Sequence, residues 1–266
     1  MFILFSLRLC AFAPLRFGFL VSNNFFDVIP AIDLRGGKCV RLAQGDAARA
    51  TEYSDDPVET ARHWEALGAK RLHLVDLDGA FAGAPAQAEV AHSIFKTLRI
   101  PVQFGGGVRT LDDARRLLDL GAARVIFGTA AAERPEIVEE AVRRHGEAVV
   151  VGIDARNGNV ALRGWVQSSA TTVLDLALRM KAAGVTRIVY TDIARDGMLT
   201  GADADGTEGL ARETGLRVIA SGGVGTLAEV EDLWRRRSSG IEGVILGRAL
   251  YERRIDFSAA VEACQC

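Results

Sequence analysis

Little in this sequence offers a metal site. Its four cysteines, Cys10, Cys39, Cys264 and Cys266, include no C-x-x-C pair and no zinc-ligand spacing. Its four histidines, His63, His73, His92 and His145, form no H-x-x-x-H pair. No metal is expected, and the thiols read as ordinary ones of a reducing cytoplasm. Charge of one sign is lacking too: 32 Lys+Arg stand against 34 Asp+Glu, a formal net charge of −2. No cationic excess points to a nucleic acid or an anionic membrane as partner. An anionic ligand would have to be caught locally, by backbone amides and a few placed arginines. The first candidate strand is not followed by G-x-G-x-x-G, which weakens a dinucleotide-binding reading. No Ser-His-Asp set stands out either.

A clean membrane span is also missing. Residues 1–26 are apolar and acid-free, but Arg8, Pro14 and Arg16 break them up, whereas a spanning helix needs about 20 predominantly apolar residues. Ala11-Phe12-Ala13 has the form of a secretory cleavage site without a positive n-region before it, and an acid-free transit peptide is the other targeting reading. The leading expectation is an over-long gene start, with Val21 as the alternative initiation site, because a tidy strand begins only at Val28. The chain therefore divides into an extension over 1–26, disordered or absent from the native protein, and one domain over 27–266.

What is present is a regular alternation. Short runs rich in Val and Ile predict strands at Val28–Ile32, Arg71–Val75, Val102–Phe104, Arg124–Phe127, Ala148–Ile153, Arg187–Tyr190, Arg217–Ala220 and Gly243–Leu246. Helical stripes lie between them: Leu111, Ala114, Leu117 and Leu118 form one, and Leu174, Ala177 and Leu178 begin another. Eight strands alternating with helices over about 240 residues match a closed (β/α)8 barrel, the TIM barrel, better than an open doubly wound sheet.

An internal repeat sharpens this reading. Ala31-Ile32-Asp33 recurs as Gly152-Ile153-Asp154, and Leu74-Val75-Asp76 as Tyr190-Thr191-Asp192. Gly105-Gly106-Gly107-Val108 recurs as Ser221-Gly222-Gly223-Val224, and Ile126-Phe127-Gly128-Thr129 as Ile245-Leu246-Gly247-Arg248. Four matches in one order, each about 120 residues apart, imply two homologous half-barrels of four βα units.

The repeated motifs carry chemistry. Glycine turns between strand and helix let a backbone approach an anion, and the N–H groups at a helix start bind it. Gly106, Gly107, Gly128 and Thr129 in one half, and Gly222, Gly223, Gly247 and Arg248 in the other, predict two phosphate sites on opposite sides of the barrel mouth. A ligand phosphorylated at both ends would stretch between them. Arg109, next to the first turn, is placed to pin a phosphate or a sugar hydroxyl. Asp33 and Asp154 close strands that face each other at the end where barrel chemistry sits, and can divide general acid and general base duties. Thr191 ends the sixth strand, where a hydroxyl can hold or relay a proton. Asp196 is a further loop acid with a site role expected. For Arg109, Asp76, Asp78 and Asp192 a structural role in the loops is as well supported as a catalytic one. Arg163-Gly164-Trp165 offers a lid whose Trp165 would face a planar ring, or else a core tryptophan.

These residues resemble a known family. Val28-Ile29-Pro30-Ala31-Ile32-Asp33-Leu34, Gly37–Leu42, Gln44-Gly45-Asp46, the Gly105–Arg109 turn, Gly164-Trp165 and Thr191–Gly197 are similar to the HisA isomerases of histidine biosynthesis, over about Val28 to Ala263. The resemblance implies an Amadori rearrangement of an aminoaldose to an aminoketose on a bis-phosphate substrate, in a cytoplasmic monomer. It implies Asp154 as the acid that opens the ribose ring, Asp33 as the base at C2′, and Thr191 as the helper of Asp154. No cofactor is implied, because the substrate's own imine is the electron sink. The related HisF cyclases typically read Cys-Leu-Asp-Val in strand one, where this chain has Ala31-Ile32-Asp33-Leu34. A bifunctional relative that also isomerises phosphoribosylanthranilate shares Arg163-Gly164-Trp165. A non-catalytic phosphosugar binder would have no use for two opposed acids.

Overall fold

The computed structural model describes residues 25–43 and 46–265. Residues 1–24, the Gln44-Gly45 pair of the expected motif and Cys266 lie outside the described residues. Of the expected extension, Phe25 is exposed while Phe26 is buried in the core.

Eight parallel strands form the framework: β1 (Asp27–Arg35), β2 (Leu72–Asp76), β3 (Val102–Gly105), β4 (Arg124–Phe127), β5 (Val149–Arg156), β6 (Arg187–Asp192), β7 (Arg217–Ser221) and β8 (Ile241–Leu246). Each pairs with the next and β8 pairs with β1, so the sheet closes. Closure leaves the eight-stranded ring itself without a free edge. Helices between the strands cover the outside and complete the (β/α)8 barrel that the alternation predicts.

The two halves match in detail. Helix Leu111–Asp119 starts on a Thr110/Asp113 capping box, and helix Leu227–Arg235 starts on the equivalent Thr226/Glu229 box. One predicted stripe is corrected. In helix Val173–Ala182 the buried residues are Leu176, Ala177 and Met180, while Leu178 is 44% exposed. Three apolar positions were too few to fix the helix face, and Met180 one turn further on defines it.

Strand period sets the barrel interior in layers. Ile29, Ala31, Ile126, Val150, Val189, Ile219 and Ile245 form a buried apolar cluster of their own, separate from the larger core between strands and helices. Below this plug lies a ring of charge. Arg187 donates to both carboxylate oxygens of Glu242 at 2.8 Å, Arg124 approaches Glu242 at 3.5 Å, and Arg71 donates to Asp27 at 3.3 Å. Glu242 reaches the ring because the β7–β8 register slips there, with Val218 opposite Ile241 and Ile219 opposite Gly243. Above the plug, two residues on from Ala31 and Val189 along their strands, stand Asp33 and Thr191.

Two antiparallel ribbons rise from the first strand of each half, an addition the sequence reading does not contain. One is Lys38–Ala43 with Asp46–Ser54 on β1, and the other is Asn159–Leu162 with Gln167–Thr172 on β5. Both begin with a two-residue turn in which both residues have positive φ: Gly36 at 56° and Gly37 at 78°, then Asn157 at 53° and Gly158 at 80°. That is the backbone a type I′ hairpin requires.

Candidate active site

The fourteen candidate site residues are brought together by the fold: all of them line a single cavity at the C-terminal ends of the strands. The chemistry at its floor is built on β1, β5 and β6. Thr191 pairs in register with Asp154 across β6 and β5, so hydroxyl and carboxyl are neighbours by strand pairing.

Asp33 and Asp154 keep different company. Arg41, on the first ribbon strand, donates from Nη1 to Asp33 Oδ2 at 2.7 Å. Both side chains are nearly buried, Arg41 14% and Asp33 12% exposed. Burial pushes the Asp33 carboxyl above its usual range, and Arg41 opposes that rise. Among the described residues, Asp154 has no cation for a partner. The indole Nε1–H of Trp165 donates to Asp154 Oδ2 at 2.7 Å, and Thr191 adds a hydrogen bond. Burial raises the Asp154 carboxyl as well, opposed only by these two neutral donors.

Trp165 reaches Asp154 from the tip of the second ribbon, where Arg163, Gly164 and Trp165 have φ of 55°, 65° and 71°. Arg163 and Trp165, which are not glycine, pay for that left-handed backbone, and the surroundings hold them in it. Arg163 is fixed there by Glu133, Nε to Oε1 at 3.1 Å, and by its own backbone N–H donating to Thr129 at 2.9 Å. The ring of Phe81 packs against Gly164.

A third acid shares the floor. Burial is the main reason that Asp196 is pushed up to about 7; Arg41 opposes, and the charges of Asp33 and Asp154 add to the rise. His73, on β2, also lines the cavity. Burial, then Arg41, press its pKa down to about 3, so the ring is neutral, with Nδ1 2.9 Å from Gln103 Nε2.

The glycine turns occupy matched positions on the two sides. Gly128 has φ −100° and ψ −98°, and Gly247 has φ −113° and ψ −105°, each at the start of a short helix. Nothing lies within 4 Å of a Cβ built on Gly128, so its backbone faces open space. Gly106 and Gly223 are constrained otherwise. A Cβ on Gly106 would stand 2.1 Å from the Asp76 carbonyl oxygen, and one on Gly223 would stand 2.2 Å from that of Gly201. The arginines are placed unequally: Arg109 follows the β3 turn on one side, while on the other Arg248 follows the β8 turn and the Arg41 guanidinium packs on the Gly247 backbone. Arg109 packs over Gly83, and Arg248 donates to the Gly197 carbonyl and pairs with Glu252 at 2.5 Å.

Three loop acids turn out to be braces. Asp76 is fully buried and accepts from the N–H groups of Gly79, Ala86 and Gln87 at 2.7, 2.6 and 2.8 Å. Asp78 accepts from Gly36 N–H at 2.7 Å, and Asp192 from Ala194 N–H and Arg195 Nε at 3.0 Å each. None of the three lines the cavity. Arg41 and His73, in contrast, line it, although no motif in the sequence marks either as a site residue. The available signal for Arg41 was the Gly36-Gly37 turn, which folds it back on Asp33.

Comparison with known proteins agrees with this geometry. The family model described as histidine biosynthesis protein matches residues 27–256. A protein of Pelotomaculum thermopropionicum is 50% identical over 234 residues, 88% of this chain and 90% of its own length. One from a Synechococcus species is 51% identical over 237 residues, 89% and 93% of the two chains. One from Hahella chejuensis is 50% identical over 238 residues, 89% and 98%. All three bear the name 1-(5-phosphoribosyl)-5-((5-phosphoribosylamino)methylideneamino) imidazole-4-carboxamide isomerase.

Proposed function

The chain belongs to the histidine biosynthesis protein family, and we propose that it isomerises the bis-phosphoribosyl carboxamide for which these relatives are named, with Asp33 and Asp154 as its catalytic pair. The reaction is an Amadori rearrangement of an aminoaldose to an aminoketose. Asp154 donates a proton to the ribose ring oxygen as the C1′–O bond breaks and the amine nitrogen lone pair forms C1′=N. Asp33 then takes the C2′ proton, and the C–H electrons form C1′=C2′ while nitrogen recovers its pair. Return of a proton to C1′ and loss of one from the C2′ hydroxyl leave the ketone.

The observation that carries the role assignment is the contrast in partners. A carboxylate beside a guanidinium stays ionised and suits a base, whereas one among neutral donors takes up a proton more readily and suits an acid. Thr191 supports Asp154 from the adjacent strand. The glycine turns, with Arg109 on one side and Arg248 on the other, hold the two phosphates, Gly106, Gly107, Gly128 and Thr129 at one end and Gly222, Gly223 and Gly247 at the other. Trp165 lies beside the acid where a planar carboxamide ring can stack, and Asp196 binds sugar hydroxyls. A monomer in a reducing cytoplasm suits this reading, since one chain supplies every group and Cys39 is a buried free thiol.

The test is turnover. Purified full chain is given the formimino-ribotide, with cyclase and ammonia added to report the ketose, and phosphoribosylanthranilate is assayed in parallel. Turnover of the first substrate is expected. Folded protein that turns over neither overturns the reading.

A further inference from the structure

Tyr251 ends the short helix Arg248–Tyr251 that follows β8, just beyond the glycine turn at Gly247. Its hydroxyl donates to the Ala31 carbonyl at 3.1 Å, a contact across 220 residues of sequence. The same carbonyl accepts Arg41 Nη2 at 3.2 Å, while Arg41 Nη1 holds Asp33. The Arg41 guanidinium carbon lies 5.7 Å from the centroid of the Tyr251 ring, within reach of a cation–π attraction. Arg41 Nε has no partner among the described residues, so two hydrogen bonds, the Tyr251 ring and packing against the Gly247 backbone fix the guanidinium. The ring is itself wedged, with Tyr53 at 4.8 Å and Trp64 at 5.7 Å between centroids. Tyr251 does not line the cavity.

We propose that Tyr251 is a positioning residue for the isomerisation: it clamps Arg41 and the Ala31 carbonyl, and thereby holds Asp33 aimed at C2′. The proposal rests on the reading of Asp33 as the base. Phenylalanine would supply the ring but not the tie to β1. The hydroxyl joins the helix after β8 to the strand that carries Asp33, two residues from it. Several charged or titratable groups face this assembly. Arg41 comes from the ribbon, as does the Cys39 thiol, which burial pushes up to about 11. His73 comes from β2, neutral at working pH, and Asp196 from the loop after β6. Asp154, on β5, faces this set through Asp196. Because Arg41 opposes the burial-driven rise of Asp33, loosening Arg41 raises the Asp33 titration midpoint.

The experiment compares wild type, Tyr251→Phe and Tyr251→Leu. Aspartate carboxyls are labelled with 13C and titrated by NMR, with Asp33 and Asp196 assigned through Asp33→Asn and Asp196→Asn. Tyr251→Phe is expected to lower kcat about 2- to 12-fold, the worth of one hydrogen bond, with KM unchanged. It should also raise the Asp33 midpoint. Tyr251→Leu, which loses the ring as well, should go further in both. An unmoved Asp33 midpoint in Tyr251→Phe overturns the proposal, even if kcat falls, because a merely structural role would lower activity without touching that titration. Full kcat in Tyr251→Phe also overturns it. If Tyr251→Leu does not fold, the phenylalanine variant alone decides. Full turnover by Asp33→Asn instead sinks the base assignment, and the titration still reports separately whether Tyr251 holds Arg41.

Discussion

Asp33 and Asp154 stand at equivalent places in the two half-barrels, yet the first meets a guanidinium at 2.7 Å and the second an indole N–H at the same distance. A duplicated strand motif has thus acquired two environments through one residue on each ribbon. The proposed division of labour rests on Arg41, within a strand of one ribbon, and Trp165, at the tip of the other.

Trp165→Phe removes the N–H donor and keeps an aromatic face. The lost bond lowered the Asp154 pKa, so in the variant that pKa rises and the basic limb of the kcat profile moves to higher pH. A fall in kcat of about tenfold accompanies the shift. Steady-state rates between pH 5 and 10 check both.

Asp196 makes the protein less stable as pH rises. Its carboxyl is raised in the folded chain to about 7 from 3.8. It therefore contributes stability that is complete below the lower value and is lost as pH climbs through the upper one. Asp196→Asn, a mimic of the neutral acid, should melt at least about 3 °C above wild type at pH 8. The gap should close as pH falls from 7 toward 4. Thermal melts across that range read it, and a gap that grows toward low pH would contradict the assignment.

The glycines divide into two kinds. Gly223→Ala places a Cβ against the Gly201 carbonyl at a φ of 84°, and should cost about 2–4 kcal/mol of stability by urea unfolding. Gly128→Ala meets no protein atom, but a ψ of −98° lies outside the regions open to alanine, so the variant should fold with a loss of about 1–3 kcal/mol. Its methyl instead enters the space proposed for a phosphate, raising KM about tenfold or more. A Gly128→Ala enzyme with unchanged KM would remove that turn from the phosphate site.

At the opposite end of the barrel, Glu242→Gln leaves Arg187 and Arg124 facing each other without their shared anion. Arg187 is 3% and Glu242 9% exposed, so the uncompensated charge is buried. Breaking such a pair should cost about 3–5 kcal/mol of unfolding free energy. The ring is separated from the site by the apolar plug, and kcat/KM should stay near wild type.

Much of this arrangement is legible in the chain. The eight barrel strands show as Val and Ile runs because parallel strands are buried on both faces. The two floor acids show because Asp33 and Asp154 end the same three-residue motif in each half. Arg41 did not show, because its relation to Asp33 exists only once the Gly36-Gly37 turn folds the ribbon onto β1. Asn157-Gly158 is a hairpin dipeptide of the strongest type and Gly36-Gly37 one that a type I′ turn accepts, so the ribbons are readable in principle. His73 looks like any strand histidine until the barrel closes around it. The bracing roles of Asp76 and Asp192 depend on N–H groups that loops bring to them, which no spacing rule reports.

The most direct measurement of the central claim is made on Asp154→Asn with the formimino-ribotide, combining titration calorimetry with turnover. The account predicts a Kd close to that of wild type and a kcat lower by about 10²–10⁴, since the variant keeps both anion turns but has no proton to give the ring oxygen. Turnover at the wild-type rate would contradict it.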